Sequence, residues 1–343
     1  MQEPTLNTQL QDAPEFGFAN GSVVAAPVPF KSPALGSGLA LGGAWLFSDD
    51  AGSDGSSIGL GAFRTSNGSE GIGAGLSFNL DNNRWQVSFL AASADLNYDL
   101  FVLGIPVPIT QSANAVDATF EYGFQSGLSL GFGLSYAETT IGLQRGEDGI
   151  LPQSVQLDSD LAVAKFRLLA NYDTRDDSYY PTTGTLFSGQ LAYGEVTNIG
   201  QRDYLKGVLK AAAYRPVFSE GVIAGRLTAC AAEEAAPFFD SCAIGPTDGF
   251  RGFSSTQYLD DALFSVQAEY RGRITNWLGF VVFAGAGSVD DDLAGAVTGE
   301  YQTAAGLGAR IRLSKSYPLD YSIDYSINND DEKLLYISVG QRF

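Results

Sequence analysis

The chain repeats one pattern from residue 21 onward: short segments in which apolar residues alternate with small or polar ones, separated by turns of Gly, Asn, Asp and Ser. Alternation with a period of two predicts β-strands that have one apolar face. No segment of useful length has a helical period, and no apolar run reaches the roughly 18 residues of a membrane-spanning helix. The pattern therefore predicts an all-β fold of about 16 strands. The first strand, Gly21–Phe30, is weak because Pro27 and Pro29 cannot donate to a ladder.

The connections between strands differ on the two sides of the predicted sheet. If the N-terminus lies inside, the turns after even-numbered strands are mostly short, at 81–83, 125–127, 218–221 and 314–318. The loops after odd-numbered strands include the long ones, at 99–113, 141–157 and 233–258. This layout is typical of a transmembrane antiparallel β-barrel of the bacterial outer membrane, and closure removes exposed sheet edges. The alternative is a soluble β-sandwich or β-solenoid, whose outer faces should carry more Lys and Glu.

The predicted barrel spans residues 20–343, and residues 1–19 form a short periplasmic tail. In the last strand, Leu335, Ile337 and Val339 would face lipid, whereas Tyr336 and Ser338 would face the lumen. The N-terminus has neither the basic region nor the apolar core of a secretion signal. A mature exported chain and a cytosolic protein would both begin in this way.

The composition excludes several classes of function. A formal net charge of -19 argues against nucleic-acid binding, which requires a basic surface. Histidine is absent, which excludes Ser-His hydrolases, Cys-His nucleophiles and metal sites built from histidine. We therefore expect no enzyme activity, no cofactor and no metal centre. The acidic runs 290–292 and 330–332 on predicted outer loops either hold divalent cations that bridge to lipopolysaccharide or are simply solvated.

Two cysteines, Cys230 and Cys242, bracket an acidic stretch. In an oxidising compartment they could close a short loop that stabilises the fold by about 3 kcal/mol. The alternative is two unrelated reduced thiols.

The segment Asp248–Phe253 lies in the longest predicted loop and contains one basic residue, Arg251, between glycines and aromatics. On the following strand, alternation places Gln267, Glu269 and Arg271 on one polar face. If that face lines an enclosed interior, the loop arginine can pair with the strand carboxylate. The alternative is a solvated turn with an unpaired arginine.

With the strands assigned, residues 20–343 resemble the BamA/TamA superfamily of outer-membrane assembly and translocation barrels, also called bacterial surface antigens. Four features, in the expected order, carry the resemblance. The loop tip with Arg251, Gly252 and Phe253 resembles the family's Val-Arg-Gly-Phe/Tyr loop, which folds into the lumen, and Glu269 stands where the family has its acidic partner. The other two features are a periplasmic turn motif containing Asp173, Arg175, Asp176, Pro181 and Gly184, and a strand motif containing Phe283, Gly285 and Gly287.

The chain departs from the family in two ways. Gly285 stands where the family has an aspartate, so the arginine would have one strand carboxylate. The loop is then either held less firmly, or held by backbone carbonyls and a nearby aspartate such as Asp248 or Asp260. Only about 20 residues precede the barrel, although each POTRA domain, the client-capturing module of the family, needs about 75. This indicates either a trimmed chain or a barrel without such domains. The terminal Phe343 resembles the signal by which outer-membrane barrels are recognised for insertion.

The resemblance implies insertion, assembly or translocation of outer-membrane proteins through a weak seam between the first and last strands, where a client strand can be added. Pro27 and Pro29 fit such a seam, or they mark a short edge at the barrel rim. The alternative function is a passive pore or structural barrel that handles no client. The partners implied are outer-membrane lipids and lipopolysaccharide, with unfolded client proteins or accessory lipoproteins. We expect Arg251→Ala to lower the unfolding temperature or the yield of folded barrel.

Overall fold

The computed structural model describes residues 22–47, 53–102, 104–144, 160–178, 180–198, 200, 202–218, 221–312 and 320–339. Within these ranges, sixteen strands close into one antiparallel barrel. They are β1 (Ser22–Ser32), β2 (Gly36–Phe47), β3 (Ser56–Thr65), β4 (Glu70–Leu80), β5 (Trp85–Val102), β6 (Ile105–Gly123), β7 (Leu128–Leu143), β8 (Asp160–Asp173), β9 (Gly184–Val196), β10 (Arg202–Val217), β11 (Gly221–Ala232), β14 (Ala262–Arg273), β15 (Leu278–Asp290), β16 (Gln302–Arg312), β17 (Asp320–Asn328) and β18 (Lys333–Val339).

The predicted all-β barrel of about 16 strands is therefore confirmed. Two further strands, β12 (Cys242–Ala243) and β13 (Leu259–Asp260), pair as a small ribbon within the connection from β11 to β14. A 3-10 turn, Phe238–Asp240, lies in the same connection, and a six-residue helix, α1 (Leu293–Thr298), lies between β15 and β16. No helix of the described residues has the length and apolarity to cross a membrane.

Alternation along each strand separates an apolar outer surface from a polar lumen. On β14, Val266 is exposed on the outside, whereas Gln267, Glu269 and Arg271 are buried inside. On β10, Leu205 and Leu209 are exposed, whereas Lys206 and Val208 between them point inward. An outer surface of this kind is stable against hydrocarbon and not against water.

We call the rim where β1 begins and β18 ends the terminal rim, and the opposite one the loop rim. The connection 233–261 enters the lumen from the loop rim and packs against the inner wall. Its apolar residues form two buried clusters with the strands; the second contains Ile244, Phe250, Phe253, Leu263 and Ala304. This loop thus supplies the barrel with a core on one side.

The prediction of a long loop at 99–113 is wrong. β5 and β6 continue as a hairpin to the pair Val102–Ile105, and the turn between them contains Gly104 in the left-handed region (φ 76°). The hairpin remains paired because its apolar residues have a surface to bury: Leu100, Val107 and Ile109 pack in the first of the two clusters. Most of the predicted loop 141–157, the turn 314–318, the tail 1–19 and Phe343 lie outside the described residues.

Candidate functional site

The tip of the inner loop is shaped by Asp248, which is fully buried. Its Oδ1 accepts the backbone N–H of Gly245 (2.7 Å) and of Phe250 (2.9 Å). Its carbonyl oxygen accepts from Arg226 Nη1 (3.1 Å) and from Gln267 Nε2 (3.2 Å) on the wall. The turn is therefore fixed to the barrel immediately before Arg251.

Arg251 is 1% exposed and contacts carboxylates on two strands. Its Nη2 pairs with Glu269 Oε2 on β14, and its Nη1 lies 2.8 Å from Asp324 Oδ2 on β17. The guanidinium also lies over the Phe283 ring of β15, with its central carbon 3.6 Å from the ring centroid. The structure thus brings together Arg251, Glu269 and Phe283, all of which were singled out in the sequence.

Both carboxylates are shared with a second arginine. Arg271 Nε lies 2.7 Å from Glu269 Oε1, and Arg310 Nη1 lies 2.5 Å from Asp324 Oδ1. We call these five residues, Arg251, Glu269, Arg271, Arg310 and Asp324, the lumen charge network. It holds three guanidiniums and two carboxylates, all buried, and hydrogen bonding is what makes such burial tolerable.

The second partner of Arg251 differs from the expected one. Asp248 and Asp260 were the expected substitutes for the carboxylate missing at Gly285, but Asp324 takes that place. Asp248 is occupied with the backbone of the loop tip, and Asp260 pairs with Cys242 in the ribbon. Alternation in β17 puts Asp324 on the polar face of its strand, but this residue was not singled out in the sequence, and nothing in the sequence pointed it toward residue 251.

Gly285 is required by the packing of the loop. A Cβ at this position would lie 2.5 Å from Cε2 of Phe250, so the aromatic ring occupies the space of the missing side chain. Gly252, at φ 140°, is equally confined, because a Cβ there would lie 2.3 Å from Cβ of Ala304. Gly287 lies farther from the loop, with 3.3 Å between its ideal Cβ and Ile244.

The loop is also tied to the last two strands. The Gly252 N–H donates to the Tyr336 hydroxyl (2.9 Å), which in turn donates to the Phe253 carbonyl (3.0 Å). Asn328 Nδ2 donates to the Gly252 carbonyl (2.9 Å). The loop thereby holds β17 and β18 from the inside.

The turn motif between β8 and β9 folds on its own hydrogen bonds. Arg175 pairs with Asp173 (2.7 Å), and Asp176 accepts the backbone N–H of Thr182 (2.8 Å) and of Thr183 (3.0 Å). Burial alone would raise the pKa of the Asp176 carboxyl, but these donors and the Thr182 hydroxyl outweigh it and lower that pKa. Gly184 adopts φ 98°, which favours glycine.

This turn reaches the lumen charge network. Arg271 Nη1 donates to the Pro181 carbonyl (3.3 Å), while Tyr180 lies close to Arg271 and Arg273, with 5.6 and 4.8 Å from its ring centroid to the guanidinium carbons. Arg251 from the loop rim and Pro181 from the terminal rim are therefore connected through Glu269 and Arg271. Sequence reasoning found both motifs but not the contact between them.

Cys230 and Cys242 form a disulfide that joins β11 to the ribbon of the inner loop, with 5.8 Å between their Cα atoms. Both residues are buried. The bond covalently fixes the loop where it leaves the wall.

Acidic side chains in the runs of the outer loops accept hydrogen bonds from other groups of the protein. Asp292 accepts the Gly295 N–H (2.7 Å) at the start of α1, and Asp330 accepts the Tyr258 hydroxyl (2.7 Å). Glu332 accepts from Gln257 Nε2 (3.0 Å) and Asn328 Nδ2 (2.8 Å). Within the described ranges no group of carboxylates or cysteines is arranged to hold a metal ion.

The barrel closes through a seam between β1 and β18. Among the described residues, β1 and β18 are in register at one pair, Lys31–Ile337, whereas β1 pairs with β2 along its whole length. The Tyr321 hydroxyl donates to the Pro29 carbonyl (2.9 Å), which therefore points toward β18. In a strand the N–H and C=O of one residue point to the same side, so Pro29, and Pro27 two residues earlier, lack their donors on the seam edge.

The conserved-domain profile described as the Omp85 superfamily domain matches residues 55–343. The chain belongs to the Omp85 superfamily. A search of curated proteins with the sequence gave no match. Among solved structures, this Omp85 barrel is similar to "BamA from Haemophilus ducreyi lacking POTRA domains 1-3". The TM-score is 0.63 and the sequence identity 14%, and the match covers 93% of this chain and 70% of that one.

Two CdiB structures are also similar to this Omp85 chain. CdiB from Escherichia coli gives a TM-score of 0.62 at 15% identity, and CdiB from Acinetobacter baumannii gives 0.59 at 12%. Each match covers 93% of this chain, but only 62% and 59% of the respective CdiB chain. At these identities the similarity establishes the fold.

Proposed function

We propose that this Omp85 barrel lies in the bacterial outer membrane, with the terminal rim at the periplasm, and promotes insertion or translocation of outer-membrane proteins through the β1–β18 seam. It acts without catalytic chemistry of its own. Its apolar outer face contacts the acyl chains of outer-membrane lipids and lipopolysaccharide. Family membership and the alternating outer surface support this location.

The weak pairing at the β1–β18 seam is the observation that supports this function most directly. One register pair joins β1 to β18 in the described part of the chain, and two prolines remove backbone donors from that edge. A strand edge with unpaired backbone groups is a template for the addition of another strand. Opening the seam therefore costs few hydrogen bonds, and the backbone groups that β1 and β18 then expose, including the carbonyls of Pro27 and Pro29, can pair with a client strand.

The inner loop determines which side of the seam moves. Tyr336 and Asn328 bind the loop backbone, so β17 and β18 are held from within the lumen. On the other side, β1 contacts this wall through Lys31–Ile337 and the Tyr321–Pro29 hydrogen bond. We infer that β1, with β2 following, swings away while β18 remains fixed to the loop.

A reversible cross-link across the seam tests this mechanism. Lys31→Cys with Ile337→Cys places two thiols at paired Cα positions, where the spacing of about 5.5 Å in a hydrogen-bonded pair suits a disulfide. The oxidised variant should lose stimulation of client folding in liposomes, measured by protease protection of a urea-unfolded outer-membrane protein. Reduction should restore it.

The matched control is Ala91→Cys with Val116→Cys, which cross-links a fully paired region of β5 and β6. This variant should behave like the wild type in both redox states. Equal client folding by the oxidised and reduced seam variants would overturn the seam mechanism. A wild-type barrel that conducts ions but never accelerates client folding would indicate the passive pore instead.

A further inference from the structure

A cavity of about 540 Å³ remains in the loop-rim half of the lumen, between the inner loop and the strands β5, β6, β9 and β10. No carboxylate is among its lining residues in the described part of the chain. The chain as a whole carries 39 acidic and 20 basic residues, so a cavity lined by two lysines and no acid runs against its composition. The two lysines are Lys206 and Lys210.

Lys206 already has an anionic partner. Its Nζ donates to the Asp240 carbonyl (2.8 Å) and lies 3.3 Å from Asp240 Oδ1. Asp240 also pairs with Lys165 (3.0 Å), so the acid is committed to two ammonium groups. The Asp240 carboxylate therefore has no remaining charge to offer Lys210.

Lys210 has no hydrogen bond or ion pair with any described residue. It lies on the inward face of β10, opposite Ser188 and half-buried in the cavity wall. The charges that act on it are those of Arg226, Asp248 and Lys206, two positive and one negative. Counting Lys210 itself, three positive charges face one negative charge, so the surroundings of this ammonium lack negative charge.

Gln190 provides a second free polar group beside it. Gln190 faces Val208 across the β9–β10 pair and is thus a diagonal neighbour of Lys210 on the same inner face. Its amide has no hydrogen-bond partner among the described residues, and it lines the same cavity. The opposite wall is apolar, with Phe238 and Phe239 in edge-to-face contact at 5.5 Å.

We propose that this cavity binds a small organic anion whose single negative group pairs with Lys210 and accepts a hydrogen bond from Gln190, while its apolar body packs against Phe238 and Phe239. One uncommitted ammonium matches one negative charge, which favours a carboxylate over a doubly charged phosphate. The proposed anion-binding residues are distinct from the seam strands, because Lys210 and Gln190 lie on β10 and β9, and Phe238 and Phe239 lie in the inner loop.

The test uses the purified full chain, folded in detergent, and fluorine NMR of 4-(trifluoromethyl)benzoate. Its neutral isostere, 4-(trifluoromethyl)benzamide, measures partition into detergent and apolar surfaces. We expect saturable binding of the benzoate at neutral pH and binding of the benzamide at least tenfold weaker. Lys210→Met should weaken benzoate binding at least tenfold, and Gln190→Leu should weaken it several-fold.

Lys333→Met is the matched control, because it removes the same charge from an exposed residue at the loop rim and should leave binding unchanged. Resistance of each folded barrel to unheated detergent on gels checks that the variants fold. If Lys210→Met does not fold, the comparison of benzoate with benzamide on the wild type still decides. Equal binding of the two probes, no saturable binding, or full binding by Lys210→Met would overturn the proposal.

Discussion

Substitution within the lumen charge network tests how the inner loop is held. Three guanidiniums share two carboxylates, so the arrangement already carries one excess positive charge. Arg251→Met removes that excess and leaves Glu269 with Arg271 and Asp324 with Arg310. Glu269→Gln instead leaves three buried guanidiniums with one carboxylate.

The two variants should therefore differ in the free energy of unfolding. Breaking a buried pair costs about 3–5 kcal/mol when it leaves an uncompensated charge, which is the expected cost of Glu269→Gln. Arg251→Met loses hydrogen bonds to two charged acceptors, but both acceptors retain an arginine. Its cost should stay near that of one such bond, about 1.5–3 kcal/mol.

The measurement is a urea titration of the barrel in detergent, carried out in both directions and followed by tryptophan fluorescence and by gel mobility without heating. Arg64→Met is the control, because its ion pair with Glu70 is long (3.7 Å) and exposed. That variant should lie within about 0.5 kcal/mol of the wild type. The double variant Arg251→Met with Glu269→Gln should be less destabilised than the sum of the single variants by about 1 kcal/mol or more, since the two residues share a contact.

A larger cost for Arg251→Met than for Glu269→Gln would refute the charge accounting. Additivity in the double variant would show that Arg251 and Glu269 do not stabilise the fold through each other. If neither variant changed the unfolding midpoint or the gel mobility, the loop would be held by its apolar packing and disulfide alone.

Three further predictions concern the loop and the turn motif. Gly285→Asp, which restores the family residue, should lower the free energy of unfolding by about 1–3 kcal/mol because the new side chain displaces Phe250. Gly287→Ala should lower it by less, and equal losses for the two variants would contradict the packing argument. Cys230→Ala with Cys242→Ala should lower the free energy of unfolding by about 3 kcal/mol, whereas an unchanged urea midpoint under oxidising conditions would show that the disulfide does not stabilise the loop. Folding lowers the pKa of the Asp176 carboxyl from its usual 3.8, so the stability that this carboxylate gives the turn 174–183 is complete above that value and is lost as the pH falls through the lower folded pKa. Amide exchange in the turn should therefore accelerate in acid for the wild type. The same acceleration in Asp176→Asn would count against this role.

The sequence by itself determined the barrel, its strand number and the identity of its main loop. Alternation is a local property, because the backbone of a single strand decides which face each side chain takes. Gln267, Glu269 and Arg271 could therefore be assigned to one polar face from their own strand alone. The motifs around Arg251 and Asp173 were visible for the same reason, since each is contiguous and built on local turns. The prolines of β1 likewise marked an edge without any knowledge of its neighbour.

The tertiary structure decided which of these residues meet. Asp324 lies 73 positions after Arg251, and the carboxylate became its partner only when barrel closure brought β17 beside the loop. Barrel closure also places the Phe250 ring in the space at Gly285 and brings Arg271 to the turn motif. It sets the Lys31–Ile337 register of the seam in the same way. Periodicity fixes the face of a side chain but not its depth along the barrel, because depth is set by strand register, and register is set jointly by all sixteen strands.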